Sequence, residues 1–452
     1  MKTHSHEGSQ KQKAYVVAVN MGYGHERAAH GLLDLAEGGE YIIANDYPGI
    51  PETERAAWNG GRKLYEVVSR VKSLPLVGEP LFSVFLDRQQ EIEPFYPKRD
   101  LSKPTIQVRQ TYFMIEKLGL CRHLIKKLSK NPLPLIATFF TIAFAAEYYN
   151  YPGEIYLVVC DADMSRAWVS RDPKNSRIKY FAPTGRVVER LKRYGVPAKN
   201  IFHTGFPLPK SNVGGASMSI INPDLLERLD RLDPNRIFFN KYHKTLRDHF
   251  GVALSSTPGH KPIRITFAVG GAGAQKEIGE DVLLSLKKHL KKGDVVLNLV
   301  AGNRPEIADF FIDAIQRAGL QGQIEKSIHV LQTNTRLEYF NLFDATLRNT
   351  DVLWTKPSEL SFFCGIGLPI IMAPTVGSQE EFNKRWLLQV GAGVKQNNPK
   401  YTDEWLFDWV VSGGLARLAW NGFVEAPTHG AYRIEDVINR RLSELEVLPM
   451  II

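Results

Sequence analysis

Cysteine is scarce in this chain of 452 residues, which contains only Cys121, Cys160 and Cys364. The three thiols are far apart in the sequence, and none has the spacing of a zinc site. We therefore expect no disulfide framework, and a reducing compartment fits this composition best.

Long apolar runs are also missing. The longest, Leu133 to Ala146, is interrupted by Pro134 and by threonines and is too short to cross a bilayer. Residues 1–13 are polar and lack the apolar centre of a secretory signal. We expect a cytoplasmic protein, either free or peripheral on the inner face of the membrane.

Three common catalytic signatures are absent from the sequence as well. It has no Gly-Lys-Ser/Thr phosphate loop, no serine nucleophile elbow and no zinc spacing. The net charge of +9 fits nucleic acid, an anionic membrane or a phosphorylated substrate, and its sign alone does not choose among them. The motifs below favour a phosphorylated substrate, and no nucleic-acid partner is expected.

The sequence contains the same opening pattern twice. Ala14–Asn20 is an apolar, β-branched run followed by a glycine turn and a helical pattern, and Ile263–Val269 opens the same succession again. Strand, glycine turn and helix are the start of a doubly wound α/β domain. We predict an α/β protein with two Rossmann-like doubly wound domains, divided into a flexible tail (1–13), an N-terminal domain (14–210), a linker with a helical insertion (211–262), a C-terminal domain (263–425) and a C-terminal helical segment (426–452).

The two glycine turns are the first candidate binding elements. Gly22, Tyr23 and Gly24 follow the first strand, where open α/β sheets bind ligands, and His25 beside them can take up a proton near neutral pH. The turn can equally be structural, with a solvent-facing histidine. In the second domain, the matching turn suits the close approach of a pyrophosphate, although tight packing explains it as well; its candidate residues are Gly270, Gly271, Gly273 and Gln275.

Acidic and amide side chains supply the next candidates. Asp161 and Asp163 follow an apolar strand, and such a pair holds a divalent cation on a diphosphate, caps a helix or provides one catalytic carboxylate. We favour the last two readings and expect no metal. Gln379, Glu380 and Asn383 lie at the start of a predicted helix, where they either bind sugar hydroxyls or cap the helix.

A basic helix is predicted over Glu116–Lys130, with apolar residues at helical spacing. A basic amphipathic helix lies on an anionic membrane or covers a protein core with its apolar face. Both alternatives remain open.

The ordered set of motifs resembles the glycosyltransferase superfamily that contains the bacterial lipid II–forming N-acetylglucosamine transferase and the galactosyl-diacylglycerol synthases. Gly22-Tyr-Gly-His-Glu-Arg-Ala28 resembles the family's glycine–histidine loop, and Val159-Cys-Asp161 with Trp168 resembles its Val-Thr-Asp…Trp segment. The resemblance spans residues 14–394 and includes further segments: Phe181–Val188, Ile201–Pro207, Gly270–Gly273, Ala301–Asn303, Asp351…Lys356, Gly367–Pro369 and Gln379…Asn383.

The segment Lys356–Gly365 departs from the family pattern. It is two residues shorter and lacks the family's glycine pair, and the position of the family's nucleotide-binding glutamate falls on Phe362, with Glu359 one helical turn earlier. The family's Ser-Thr-His-Pro segment is replaced by Ala137-Thr-Phe-Phe140, without a histidine.

The resemblance implies a GT-B glycosyltransferase that moves a hexosyl or N-acetylhexosaminyl group from a UDP sugar to a lipid-linked or cell-envelope acceptor. It implies inversion, no metal and no cofactor besides the donor. The N-terminal domain would bind the acceptor through residues 22–24, with His25 as base and Asp161 as its alternative. The C-terminal domain would bind the donor through residues 270–275 and through Asn303, Arg304, Lys356, Glu359, Gln379, Glu380 and Asn383. The alternatives are a nucleotide-sugar epimerase on the same fold, a metal-dependent transferase and a non-catalytic binding protein.

Overall fold

Two parallel six-stranded sheets, each with helices between its strands, form the body of the protein. The computed structural model describes residues 12–58, 92–95, 99–251, 261–268, 275–375 and 377–441. With the strands numbered in chain order, their orders across the two sheets are 2-1-3-4-5-6 and 12-11-10-7-8-9. Every strand pair in both sheets is parallel, which confirms the predicted α/β class with two Rossmann-like domains.

The first sheet forms because its strands are apolar on both faces. All four residues of β4 are buried, for example, as expected of a strand covered by helices on either side. Its strands are β1 (Tyr15–Ala18), β2 (Ile42–Ile43), β3 (Leu135–Ala137), β4 (Ile155–Val158), β5 (Lys179–Ala182) and β6 (Ile201–His203). The helices of this part are α1 (Gly24–His30), α2 (Ile106–Leu118), α3 (Arg122–Leu128), α4 (Phe140–Tyr148), α5 (Gly185–Arg193) and α6 (Lys210–Val213), with 3₁₀ turns at Glu37–Gly39, Arg166–Trp168 and Ala198–Asn200.

The second sheet repeats this plan. Its strands are β7 (Ile263–Ala268), β8 (Val295–Gly302), β9 (Ile328–Gln332), β10 (Val352–Thr355), β11 (Ile370–Met372) and β12 (Gly393–Lys395). The helices around it are α9 (Lys276–Ser285), α10 (Lys287–Lys292), α11 (Pro305–Arg317), α12 (Arg336–Arg348), α13 (Ser378–Gln389), α14 (Thr402–Val411) and α15 (Gly414–Glu425), with 3₁₀ segments at Gln321–Gln323, Glu359–Ile366 and Pro399–Tyr401.

The segment between the two sheets carries α7 (Ile221–Leu232) and α8 (Ile237–Phe250). Buried Arg228 joins α7 to the C-terminal domain, because its guanidinium donates to the carbonyls of Thr350 at 2.7 Å and Ile366 at 2.9 Å. The last described helix, α16 (Gly430–Ile438), returns to the N-terminal domain, where Glu435 pairs with Lys210 at 2.5 Å. The chain thus crosses between the domains twice.

The basic segment 116–130 differs from the single helix predicted for it. α2 ends before Gly119 and α3 begins after Cys121, and both of these residues have a positive φ, which breaks the helix. The apolar side chains of Ile115, Ile125 and Leu128 are buried in the domain core rather than presented to a membrane. Among the described residues, no helix combines the length and hydropathy that a membrane span requires.

Each sheet has one point at which the chain reverses its winding direction. In the first sheet β1 lies between β2 and β3, and in the second β7 lies between β8 and β10. Loops at the carboxyl ends of such strand pairs diverge and leave a crevice, which is where open α/β sheets bind ligands. The two crevices face each other across the domain interface, since Tyr23 after β1 reaches Asn303 after β8. This is the GT-B arrangement, as predicted.

Candidate functional site

His25 occupies the crevice of the N-terminal domain. The residue lies in the first turn of α1, and its Nδ1 is 2.7 Å from the carbonyl oxygen of Thr138, just beyond β3. A carbonyl only accepts, so Nδ1 carries the hydrogen and Nε2 keeps its lone pair. Burial lowers the pKa of His25 to about 4, although the hydrogen bond to Thr138 and the charge of Glu359 act in the opposite direction. The imidazole is therefore neutral at physiological pH.

Asp161 follows β4 and meets the other domain directly. Its Oδ1 accepts a hydrogen bond from the Asn383 amide at 3.0 Å, and Asn383 Oδ1 accepts from the backbone N–H of Ala162 at 2.8 Å. Asn383 is completely buried. Burial raises the pKa of Asp161 to about 6, and the charges of Glu359 and Glu380 add to this rise while Asn383 and Lys356 oppose it.

Asp163 is engaged elsewhere. Both of its carboxylate oxygens accept from the Arg190 guanidinium, at 2.8 and 3.1 Å, and one also accepts from the N–H of Met164. This bidentate pair is buried within the N-terminal domain and leaves Asp161 as the only member of the Asp-x-Asp pair with a contact across the interface. Within the described ranges, no group of three or more histidine, cysteine or acidic side chains is arranged to hold a metal ion.

The C-terminal domain contributes Lys356 and the start of α13. Lys356 follows β10, beside the crevice of the second sheet, and forms an ion pair with Glu380. Glu380 lies in the first turn of α13, and its second oxygen accepts from the N–H of Gly377. Gln379 is half-buried in the same turn. Lysine, helix N-terminus and polar side chains are therefore gathered where α13 begins.

Glu359 begins the 3₁₀ segment after Lys356 and points across the interface. Its Oε1 accepts from Arg27 Nε at 3.3 Å, and its Oε2 lies 3.1 Å from the position that a Cβ on Gly24 would take. Phe362, at the family's glutamate position, is buried and stacks on Phe206 with the ring centroids 4.7 Å apart. Glu359 is thus the acidic side chain of this segment that reaches the cleft.

The first glycine turn is joined to Asn303 of the C-terminal domain, a predicted donor-binding residue. The Tyr23 hydroxyl donates to Asn303 Oδ1 at 2.6 Å, and its ring packs against Tyr339 at a centroid distance of 4.9 Å. Gly22 is exposed, and its carbonyl accepts from Arg336.

The remaining donor-side candidates lie at the edge of the site or outside the described residues. Gln275 begins α9 and donates to the carbonyl of Pro374 at 2.7 Å. Arg304 precedes α11 and is half-buried, and its side chain makes no hydrogen bond or ion pair with any described residue. Gly270, Gly271 and Gly273 lie outside the described residues, so their predicted role stays a prediction.

Arg27 and Thr138 contribute to the candidate site but were not predicted from the sequence. Arg27 is almost fully buried and makes its polar contacts with the other domain, and the Thr138 carbonyl orients His25. An arginine in the first buried helix of a domain was the available signal for Arg27, because arginine is rarely buried without a partner. No side-chain pattern reveals a backbone carbonyl.

Comparison with known proteins gives a partial family match. Residues 254–400 match the family model described as "Domain of unknown function (DUF6938)". No curated protein matches the sequence.

Three solved structures with a similar course of the chain illustrate the likeness. The co-structure of S. aureus MnaA with UDP has 10% identity and a TM-score of 0.46, covering 98% of this chain and 100% of that one. The UDP-GlcNAc 2-epimerase from Neisseria meningitidis bound to UDP-GlcNAc has 10% identity and a TM-score of 0.46, covering 95% and 100%. MurG from Acinetobacter baumannii has 13% identity and a TM-score of 0.43, covering 95% and 99%. Similarity at this level does not transfer an activity to the chain.

The raised pKa of Asp161 generates a stability prediction. The folded protein binds this proton more tightly than the unfolded chain does, so the ionised carboxyl destabilises the fold once the pH exceeds about 6. We expect Asp161→Asn to raise the Tm at neutral pH by roughly 1–3 °C. The difference should shrink to nothing as the pH falls to about 4, which thermal melts across this range measure.

Asp309→Asn is the matched control, because Asp309 is exposed on α11. Its Tm should differ from that of the unmodified protein by the same small amount at every pH. An Asp161→Asn variant that is less stable at neutral pH would mean that the fold stabilises the ionised carboxylate.

Proposed function

We propose that this protein is a GT-B enzyme that acts on a nucleotide sugar and transfers a hexosyl or N-acetylhexosaminyl group from UDP to an acceptor hydroxyl. The proposal is carried by one observation: His25, a neutral imidazole whose Nδ1 is held by Thr138, lies in the crevice of one domain and is close enough to Glu359 of the other for that carboxylate to raise its pKa. General-base catalysis needs a proton acceptor of this kind close to the nucleophile.

The proposed reaction uses Nε2 of His25 as the base. Nε2 removes the proton of the acceptor hydroxyl while the oxygen attacks the anomeric carbon from the side opposite the diphosphate. The bond between that carbon and the diphosphate oxygen breaks, its electron pair leaves with UDP, and the configuration inverts. The Thr138 carbonyl keeps the hydrogen on Nδ1 and so holds the ring in the required tautomer. Asp161 is the alternative base.

The leaving diphosphate requires positive charge. Lys356 and the N-terminus of the twelve-residue helix α13 are close together. The Arg304 side chain has no partner among the described residues that a phosphate would have to displace. Helix N-termini and cationic side chains stabilise phosphate oxygens without a metal. We assign donor binding to this group together with the glycine turn 270–273, Gln275, Asn303, Glu359 and Gln379, and we place the acceptor against residues 22–24. Glu380 and Asn383 act in this scheme by holding Lys356 and Asp161.

A nucleotide-sugar epimerase is the second candidate. It is favoured by the protonation behaviour of Asp161, whose pKa of about 6 allows the carboxyl to gain and lose a proton near neutral pH. Inverting a carbon of the sugar ring requires removal of its proton from one face and delivery to the other, which needs two such groups. One of His25 and Asp161 would then remove the proton and the other would deliver one, and no acceptor substrate would be needed.

A peripheral membrane contact would bring the enzyme to a lipid-linked acceptor. The solvent-facing side chains of α2 include Ile106 and Phe113, which are 63% and 58% exposed, and the basic residues of α3 follow directly. Exposed apolar side chains with lysine and arginine on the following helix fit an anionic lipid surface. This surface replaces the one predicted from the apolar face of 116–130, of which Ile125 and Leu128 are buried and Leu118 is 52% exposed.

We predict that UDP is released from a UDP-hexose only when an acceptor is present, and that release persists in excess EDTA. A panel of UDP sugars and lipid-linked or soluble acceptors, run in deuterated water, distinguishes the candidates. Deuterium at a ring carbon of the sugar without any acceptor would establish the epimerase instead. Activity that EDTA abolishes and manganese restores would require a metal mechanism, and binding without turnover would identify a non-catalytic protein.

The identity of the base is predicted from the pH dependence of kcat/KM. A base works when it is deprotonated, so catalysis by His25 keeps kcat/KM constant down to about pH 4, whereas catalysis by Asp161 makes it fall below about pH 6. If Asp161 instead acts as an acid, kcat/KM falls above about pH 6. We expect the first profile.

Replacement of His25 tests the same assignment. His25→Asn keeps a donor for the Thr138 carbonyl but removes the base, and it should reduce turnover by roughly 10²–10⁴-fold with little change in Tm. His243→Asn is the control, because His243 is an exposed histidine whose Nδ1 contacts the backbone carbonyl of Asn240 at 3.0 Å, on α8. Near-normal turnover of His25→Asn would leave Asp161 as the base.

The membrane proposal predicts co-sedimentation with anionic but not zwitterionic vesicles. Phe113→Glu should abolish it, since a carboxylate replaces an exposed ring facing the lipid, whereas Val424→Glu, at an equally exposed site on α15, should not. Equal binding of both variants would remove α2 from the contact.

A further inference from the structure

Arg27 belongs to the N-terminal domain by sequence and to the C-terminal domain by its contacts. It lies on α1 two residues after His25, and only 1% of its surface is exposed. Its Nη2 donates to the Tyr339 hydroxyl at 3.1 Å, and its Nε donates to Glu359 at 3.3 Å. Both partners are C-terminal residues, so the side chain crosses the interface beside the candidate site.

Aromatic rings surround the guanidinium of Arg27. Its Cζ lies 4.6 Å from the ring centroid of Phe343, 4.9 Å from that of Phe340 and 5.9 Å from that of Phe363. Cation–π attraction at such distances strengthens when the cation is shielded from water. The rings therefore enclose the guanidinium and restrict the positions open to it, which limits the direction in which its Nε points.

Stability alone is a weak reason for this arrangement. Nη1 of Arg27 is buried and has no hydrogen-bond partner among the described residues, which costs free energy. A buried ion pair is often no better for stability than apolar side chains of similar size. An arginine retained here at that cost is better explained by what it holds.

Glu359 is what Arg27 holds. One carboxylate oxygen accepts from Arg27, and the other lies against Gly24, where an added Cβ would be only 3.1 Å away. The carboxylate is thereby confined between the start and the middle of α1, with His25 between these two contacts in the sequence. Its negative charge acts on both proposed reacting groups, since it raises the pKa of His25 and that of Asp161.

We propose that Arg27 is a positioning residue that fixes the Glu359 carboxylate beside His25 and Asp161. The inference rests on the proposed function for its catalytic meaning, but the geometric claim concerns the ligand-free protein. Glu359 comes from the donor-side domain and reaches the acceptor-side groups only because Arg27 anchors it there. Without that anchor the carboxylate is free to turn towards solvent, and the electrostatic environment of the reacting groups changes.

The test is the titration of Asp161, measured by carboxyl ¹³C NMR on protein labelled at aspartate. The Asp161 signal is assigned as the one that is missing in the Asp161→Asn spectrum. Glu359→Gln removes the charge, so the midpoint of the Asp161 titration should fall by on the order of one pH unit. Arg27→Gln should shift it in the same direction, and the double variant should shift it no further than Glu359→Gln alone. Arg27→Lys keeps the charge but not the paired donors of the guanidinium. Its Asp161 midpoint should therefore lie between that of the unmodified protein and that of Arg27→Gln.

Arg228→Lys is the control for a merely structural role, because Arg228 is an equally buried arginine that binds backbone carbonyls away from the cleft. It should lower the Tm without moving the Asp161 titration. If Arg27→Gln and Arg27→Lys lower the Tm and leave the Asp161 midpoint unchanged, Arg27 only stabilises the interface between the domains and the proposal is wrong. Because this experiment uses no substrate, its outcome is independent of whether the protein transfers or epimerises a sugar.

Discussion

The burial of one short helix against the opposite domain is the constraint on which the candidate site depends. α1 begins at the glycine turn of the first sheet and is seven residues long, and it packs against α12 and the 3₁₀ segment Glu359–Ile366 of the second. Polar side chains along it make interdomain contacts, including His30, whose Nε2 is 3.0 Å from Asp344. A helix held in this way places His25 opposite the donor-side groups without help from a ligand.

Charge in the cleft is balanced between few groups. Asp161, Glu359 and Glu380 provide the negative side, whereas Arg27 and Lys356 are the cations that contact two of them. Asp161 has an amide rather than a cation as its partner, and this is why burial raises its pKa. In the proposed scheme, a diphosphate would compete with Glu380 for Lys356, so that donor binding and the charges of the neighbouring carboxylates would be coupled.

The sequence predicted the fold class well because apolar runs and glycine turns report it locally. β1 and β7 lie within the runs at Ala14–Asn20 and Ile263–Val269, and the residues beyond several strands do converge on one interface, as parallel sheets require. The break at Gly119–Cys121 was missed, since Cys121 takes a positive φ that nothing in its identity indicates. The pairing of the charged groups could not be predicted either. Arg27 pairs with Glu359 in the other domain and Asp163 pairs with Arg190 in its own, and both contacts depend on tertiary packing, which the spacing of residues in one chain does not reveal.

Hydrogen exchange with and without UDP tests the central claim most directly, because that claim concerns a single site built from both domains. UDP should slow exchange in the first turns of α13 and in the loop after β10, and also in α1 on the opposite domain, whose residues line the same cleft. Protection of both domains is the result we predict. Protection restricted to surfaces away from α1 and α13, or no protection at saturating UDP, would contradict the account.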